Sequence, residues 1–251
     1  MNKSEMTFVE HLEELRRAFL KSFLALIGGT AVCLGFSPQI YRWIQQPLEA
    51  VLPEGAHFIV TTPFEAYWTY FKISLVFGFF LSTPLIFYFF WSFLTPGLHS
   101  HEKKGILPIA LISSALFVGG ALFGYFVVFP TGFHFAVKIL ADTDIHFFPK
   151  MSDYLSLALR LLIAFGIIFE LPLFLFILGK LGLVRADGLR RARKYVIVGI
   201  FLVAGVLTPG PDILSQILMA LPLLLLFEVG VLLVKLTQPR KNPVVAGNTT
   251  P

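Results

Sequence analysis

The sequence predicts an all-α membrane protein with six transmembrane helices, of which the last two are short, and with both termini in the cytoplasm. The 251 residues are 56% hydrophobic and 14% charged, whereas soluble domains carry about 25% charged residues. The charges are also clustered and leave several long uncharged runs, which is the pattern of a polytopic membrane protein. A third observation, the distribution of Lys and Arg, predicts the orientation.

Six apolar runs are the candidate spans. The run at 195–207 would extend about 20 Å as a helix, which is less than the ~30 Å of a hydrocarbon core. We expect a transmembrane domain over residues 1–236 and a disordered cytoplasmic tail over 237–251. The predicted spans are 22–36, 70–94, 106–129, 154–178, 195–207 and 213–234.

Three segments outside the spans are predicted to shape the membrane faces. Residues 1–21 are expected to form a cytoplasmic amphipathic helix, in which Thr7 and Glu10 have the spacing of a capping box. Residues 37–69 and 130–153 are expected to be extracytoplasmic loops. The first of these is long for a connection, which indicates that it folds as a cap.

Basic residues predict which face is cytoplasmic. Four segments, namely the N-terminus, the loop that ends with Lys103 and Lys104, the basic stretch 180–194 and the segment from Lys235 onward, together hold 15 of the 20 Lys and Arg residues. The positive-inside rule assigns this face to the cytoplasm. A hairpin of the last two spans that fails to cross fully would leave the C-terminus on the same side, so the number of spans stays open.

Enzyme signatures are missing from the sequence. It contains no Walker A sequence and no G-x-S-x-G nucleophile, and residues 101–105 (HEKKG) lack the second histidine of a zinc-protease helix. His99 and His101 are interpreted as solvated loop residues rather than metal ligands. Cys33 is the single cysteine, so no intrachain disulfide can form. We therefore predict no catalytic site, no metal, no cofactor and no nucleic-acid partner.

Glu170 lies deep in the fourth predicted span, where an ionised carboxylate costs about 2–3 kcal/mol. Pro172 follows closely and is expected to interrupt the helical hydrogen bonds. Two interpretations stay open: a functional group that faces a cavity or partner, and a packing residue bonded to a neighbouring helix. A small proton- or cation-coupled secondary transporter using Glu170 is an alternative function, although we find no convincing internal repeat of the kind that such folds usually show.

Two other acids, Glu14 and Glu102, lie at the predicted cytoplasmic face, which is otherwise crowded with basic residues. Such acids form a candidate socket for a cationic peptide. Glu13 is less informative, because it can pair with Arg17 one helical turn away on a solvated face. The string RRAFLK at 16–21 also matches an export signal, but acidic residues precede it and five spans follow, so a cleaved signal is not favoured.

Six motifs in order along the chain resemble the TatC family, the polytopic subunit of the twin-arginine protein translocase. Each motif is weak alone, and the ordered set together with the short fifth span carries the resemblance. The motifs are HLEELRR (11–17), QPL (46–48), TTPFEAYWTYFKIS (61–74), FLTPGLHSHEKK (93–104), FGIIFELP (165–172) and LTPGPD (207–212).

The resemblance implies a receptor and core component for export of folded proteins across the inner membrane, driven by the proton-motive force. It implies twin-arginine signal peptides and single-span subunits of the TatA and TatB type as partners, and a homo-oligomer within a larger complex. Signal-peptide binding would fall to Glu14, Phe93 and Glu102. Further functional positions implied by the motifs are Arg16, Pro47, Glu170, Asp212 and Gln216.

Overall fold

The computed structural model describes residues 8–50, 52, 57–94, 105–141, 148–207 and 213–238. Within these residues the chain forms nine α-helices and one π-helical turn, Gly124–Val128. The α-helices are α1 (Phe8–Gly35), α2 (Ser37–Glu49), α3 (Glu65–Leu94), α4 (Ile106–Phe123), α5 (Phe129–Ala141), α6 (Met151–Phe169), α7 (Leu171–Lys180), α8 (Ala186–Leu207) and α9 (Ile213–Thr237).

Among the described residues, five helical segments are long and apolar enough to cross a membrane, so the predicted all-α polytopic class is confirmed. The fifth predicted span belongs to α8, which begins at Ala186 and is therefore longer than expected. Its first half carries the basic residues, so α8 is not among the five. The five segments are Val9–Gly35, Glu65–Leu94, Ile106–His134, Met151–Lys180 and Met219–Thr237.

Several predicted boundaries differ from the observed helices. The amphipathic helix and the first span form one helix, α1, because no proline interrupts residues 8–35. Thr7 of the expected capping box lies outside the described residues. The expected loop 37–69 contains α2, and the expected loop 130–153 begins with α5. The chain stays helical through Pro130 because the wider π-helical turn directly before it accommodates the proline ring.

The antiparallel pair α1 and α3 crosses at two glycines. A Cβ on Gly29 would lie 2.5 Å from the carbonyl oxygen of Gly78, and a Cβ on Gly78 would lie 2.5 Å from the backbone nitrogen of Thr30. The Ser82 hydroxyl donates a hydrogen bond of 2.7 Å to the Ala25 carbonyl across the same crossing. The two backbones can approach this closely because neither glycine carries a side chain.

Two further helix pairs cross in the same way. Gly120 of α4 and Gly166 of α6 face each other's helix, and so do Gly179 of α7 and Gly230 of α9. A Cβ on any of these four glycines would come within 3.0 Å of an atom of the facing helix. The main core lies between these pairs and includes Phe165, which is fully buried. Glycine crossings therefore hold together three pairs of membrane helices.

Two tyrosine hydroxyls attach the cap helix α2 to the membrane helices. Tyr125, in the π-helical turn, donates a hydrogen bond of 2.5 Å to the Trp43 carbonyl, and Tyr154 of α6 donates one of 2.6 Å to the Ile44 carbonyl. Pro47 is buried in the last turn of α2 and has no N–H with which to reach Trp43, four residues earlier. The Tyr125 hydroxyl therefore occupies the acceptor that Pro47 leaves free.

Proline has a similar effect in α3, which continues through Pro84. Pro84 cannot donate to the carbonyl of Phe80, and the Thr83 hydroxyl donates to that carbonyl instead at 2.8 Å. The freed backbone acceptor is thus satisfied within the helix, as a buried polar group in a membrane protein requires.

The Glu65 carboxylate joins the start of α3 to the start of α6. Its Oε2 accepts hydrogen bonds from the Thr61 amide, the Thr61 hydroxyl and the Thr62 amide at 2.8, 2.9 and 3.3 Å. Its Oε1 accepts one at 3.1 Å from the Ser152 amide. Next to it, Ile59 forms a parallel bridge with Lys150. Glu65 is buried, so these donors replace the water that the carboxylate loses.

The glycine crossing predicts that alanine substitutions at two adjacent glycines differ in their effect on stability. Gly29→Ala is expected to lower the free energy of unfolding by about 1–3 kcal/mol, because the new methyl group must push α1 away from α3. Gly28→Ala is the matched control, since nothing lies within 4 Å of a Cβ there, and it should not destabilise the protein. Unfolding in mixed micelles measures both variants, and equal stability of the two would contradict the crossing.

The Pro47 arrangement predicts coupling between two substitutions. Tyr125→Phe is expected to cost about 1–3 kcal/mol, because it leaves a buried carbonyl without a donor. In a Pro47→Ala background the alanine N–H can reach that carbonyl, so the same substitution should cost less. A double-mutant cycle in mixed micelles measures the difference. Tyr154→Phe is the control, since its acceptor lies four residues before Leu48, whose N–H is present in both backgrounds; equal coupling for both tyrosines would refute the account.

Candidate functional site

The first part of the candidate site lies where the N-terminal end of α1 meets the C-terminal end of α3. The ring of His11 stacks on the ring of Phe93 with a centroid distance of 4.6 Å and an interplanar angle of 21°. His11 is exposed and Phe93 is partly buried. The stack brings the motif that begins at His11 into contact with the motif that begins at Phe93, although the two are far apart in sequence.

Glu14 lies on the same face of α1 as His11, because residues three apart are neighbours on a helix. It is partly buried, whereas Glu13 next to it is exposed. The Arg17 guanidinium donates to the Glu13 carboxylate at 2.7 Å, so the ion pair considered for Glu13 is present. Glu14 forms no ion pair with any other described residue. Its carboxylate is therefore the one available for an external cation beside Phe93.

Two of the predicted site residues lie outside the described part of the chain. Glu102 falls in the gap between Leu94 and Gly105, and Asp212 falls in the gap before Ile213. The pairing of Glu14 with Glu102 therefore stays a prediction. Arg16 is exposed on α1, on a different side of the helix from the neighbouring Glu14.

The second part of the candidate site is the break between α6 and α7 at Glu170. The break is local, with Glu170 in helical conformation and its amide bonded to the Ile167 carbonyl at 3.1 Å. Pro172 lies at the start of α7 and removes one hydrogen-bond donor, as the sequence predicted. Glu170 is partly buried, and its Oε1 is a buried atom without a hydrogen-bond partner.

Two polar side chains from other helices lie next to Glu170. The Trp91 indole N–H of α3 donates to the Ser113 hydroxyl of α4 at 2.8 Å, and this hydroxyl is hydrogen-bonded to the Glu170 carboxylate. The Trp91 N–H and the Ser113 hydroxyl are thus hydrogen-bonded, whereas Oε1 of the carboxylate has no partner. A buried acceptor of this kind is costly unless it faces water or a donor from a partner.

The third part is the hairpin of α8 and α9. The Gln216 side-chain amide donates to the Phe201 carbonyl at 2.8 Å, and its Nε2 would lie 3.0 Å from a Cβ on Gly205. Arg193 and Glu228 form a second link between these helices at 2.5 Å. Glu228 thus pairs across the hairpin. Pro47 lies apart from all three places, in α2.

The structure therefore places Glu14 one helical turn from the His11–Phe93 stack and leaves Glu170, Gln216 and Pro47 at separate places. Sequence reasoning missed Ser113 as a partner of Glu170, Trp91 as the donor to Ser113, and His11 as the partner of Phe93. A serine inside an uncharged span was a usable signal, because hydroxyls in membrane helices often bond across to a neighbour. No group of three or more potential metal ligands occurs among the residues that the structure describes.

Comparisons with known proteins agree on one family. The family model described as "TatC: Sec-independent protein translocase protein (TatC)" matches residues 10–222. The Sec-independent protein translocase protein TatC of Desulforapulum autotrophicum is 42% identical over 225 residues, which are 90% of this chain and 83% of that protein. The protein of the same name from Magnetococcus marinus is 41% identical over 223 residues, which are 89% and 82% of the two chains.

A crystal structure of the twin-arginine translocase receptor TatC has the same fold as this chain. The TM-score is 0.78 at 37% sequence identity, and the match covers 91% of this chain and 99% of the other. The similarity therefore extends over the membrane helices as a whole and not over one motif.

The hydrogen-bonded network at Glu170 predicts a difference between two neighbouring serines. Ser113→Ala is expected to cost about 1–3 kcal/mol of unfolding free energy, because the Trp91 N–H and a Glu170 oxygen both lose a buried partner. Ser114→Ala is the matched control, since its hydroxyl bonds to the Ala110 carbonyl of its own helix, and it should change stability by less than about 0.5 kcal/mol. Unfolding in mixed micelles measures both, and equal losses would argue against the network.

Proposed function

The chain belongs to the TatC family of Sec-independent protein translocase proteins, and from this premise we propose that it is the signal-peptide receptor and core subunit of a twin-arginine translocase. It is a multi-pass membrane protein of bacterial type and a transport component, not an enzyme. The translocase would export folded proteins across the cytoplasmic membrane, driven by the proton-motive force.

One observation carries the proposed site: a carboxylate without an ion pair among the described residues, Glu14, lies on the same face of α1 as the residue that stacks on Phe93. A guanidinium binds a carboxylate through two parallel, charge-assisted hydrogen bonds. Phe93 offers apolar surface to the hydrophobic residues that follow the arginines of a signal peptide. The ion pair between Glu13 and Arg17 leaves Glu14 as the acid free to bind the peptide.

Glu102 is proposed as the second acid, so that two carboxylates would match two guanidiniums. Described residues flank its loop on both sides, at Leu94 of α3 and at Gly105 before α4. Phe93 lies one residue before Leu94, so the loop starts beside the His11 stack. A position at the membrane surface would spare both ions the full cost of desolvation.

The proposed topology has six crossings with both termini in the cytoplasm. The five long apolar segments and α8 together make six, with the polar start of α8 at the cytoplasmic surface. The short apolar half of α8 is then compensated by its basic end, since Lys and Arg extend toward the headgroups. The excess of Lys and Arg on this face supports the orientation.

The other sites are proposed for partners and translocation. Single-span TatA- and TatB-type subunits would bind near Glu170, whose buried Oε1 has no donor, and near Gln216, which joins α8 to α9. Arg16 and Asp212 are proposed as further functional positions, and Pro47 acts through the attachment of α2. The subunit would work as a homo-oligomer within a larger complex.

The proposed site predicts different effects for two adjacent acids. Glu14→Gln keeps the size of the side chain and removes its charge, so photo-crosslinking of a twin-arginine signal peptide should fall about tenfold or more. Glu13→Gln is the matched control and should leave crosslinking unchanged, because its carboxylate is already paired with Arg17. Glu102→Ala should reduce crosslinking as Glu14→Gln does.

Membrane insertion and expression of each variant are checked by fractionation, so that a loss of crosslinking reports binding. Undiminished crosslinking in correctly inserted Glu14→Gln would refute the assignment of the site. An equal loss in Glu13→Gln would show that general surface charge, and not the carboxylate beside Phe93, attracts the peptide.

A further inference from the structure

Two aromatic rings stack where the N-terminal end of α1 meets the C-terminal end of α3, and the proposed role of the carboxylates does not explain this stack. The centroids of His11 and Phe93 are 4.6 Å apart and their planes are within 21° of parallel. The stack covers one face of each ring. Phe93 is partly buried whereas His11 is exposed, so the imidazole is the ring of this pair that is more accessible to solvent.

A carboxylate lies one helical turn from this imidazole. His11 and Glu14 are three residues apart on α1, which places their Cβ atoms about 5–6 Å from each other. A cation held by Glu14 therefore lies beside the imidazole. The planar guanidinium of arginine can donate hydrogen bonds in its plane to a carboxylate and at the same time lie with its face against an aromatic ring.

The interface between α1 and α3 already contains one cation that lies against an aromatic ring. The Lys21 ammonium of α1 lies 5.7 Å from the centroid of Phe89 of α3, and Phe89 precedes Phe93 by one helical turn on α3. One aromatic side chain of α3, one helical turn from Phe93, therefore already lies against a cation of α1.

We propose that the His11–Phe93 stack is an aromatic platform on which one guanidinium of the signal peptide lies flat, and that His11 makes the site prefer arginine to lysine. The inference rests on the proposed function. Glu14 attracts a lysine ammonium as well as a guanidinium, because both carry one positive charge. An ammonium has no planar face and is more strongly hydrated, so it gains less from the platform.

The test compares two signal peptides that differ only in the residue pair, Arg-Arg or Lys-Lys. Affinities of the full-length protein in detergent are measured by fluorescence anisotropy. His11→Ala should lower the ratio of the two affinities about three- to tenfold, which corresponds to the loss of one cation–ring contact. His11→Phe restores an aromatic face and should keep the ratio of the wild type.

A matched control exists on another part of the chain. His57 is also exposed and lies near a phenylalanine, with its ring centroid 6.2 Å from that of Phe148 and the planes tilted by 54°. His57→Ala removes the same imidazole and should leave both affinities unchanged. His11→Leu keeps apolar bulk without an aromatic face and should behave like His11→Ala, which provides a second variant if the alanine protein does not fold.

The possible results distinguish a failure of the proposed function from a failure of the aromatic platform. A wild-type protein that binds neither peptide contradicts the proposed function. A wild-type protein that prefers Arg-Arg, with an unchanged ratio in His11→Ala or His11→Leu, keeps the function and overturns the platform. A ratio that falls in His11→Phe as far as in His11→Ala also overturns it, because an aromatic face would then not be the cause.

Discussion

The close approach of paired helices at glycine is the constraint on which the rest of the structure depends. Lipid tails are as apolar as leucine, so membrane helices gain little from hiding apolar surface from one another and associate through close packing and hydrogen bonds. The crossing of α1 and α3 at Gly29 and Gly78, with the Ser82 hydroxyl bonded to the Ala25 carbonyl, sets the register of these helices. That register brings His11 level with Phe93.

Hydropathy and charge clustering were sufficient for the fold class, because every membrane helix must bury about 20 apolar residues in the bilayer. They were insufficient for α2, whose prolines and polar residues are typical of a loop. Its attachment comes from Tyr125 and Tyr154, which are 82 and 110 residues away from their acceptors along the chain. Contacts of this range are not visible in local periodicity, and the same applies to the binding of Ser152 by Glu65.

The candidate site was predictable to the extent that its residues lie in motifs. Glu14, Phe93 and Glu170 were identified from the sequence, and the ion pair with Arg17 for which Glu13 was set aside is present in the structure. The last turn of α3 explains why further partners were missed. Trp91 and Phe93 are two residues apart and so point to different sides of the helix, one to Ser113 and Glu170 and the other to His11.

The position of the glycine crossing also determines how far a tilt of α1 would move its surface end. Gly29 lies 18 residues after His11, which corresponds to about 27 Å along the helix axis at 1.5 Å per residue. A rotation of α1 by about 5° at the crossing would move the His11 end by about 2 Å, enough to separate the rings from each other. A small tilt of α1 in the middle of the membrane would therefore produce a larger displacement at its surface end, where we propose that the signal peptide binds.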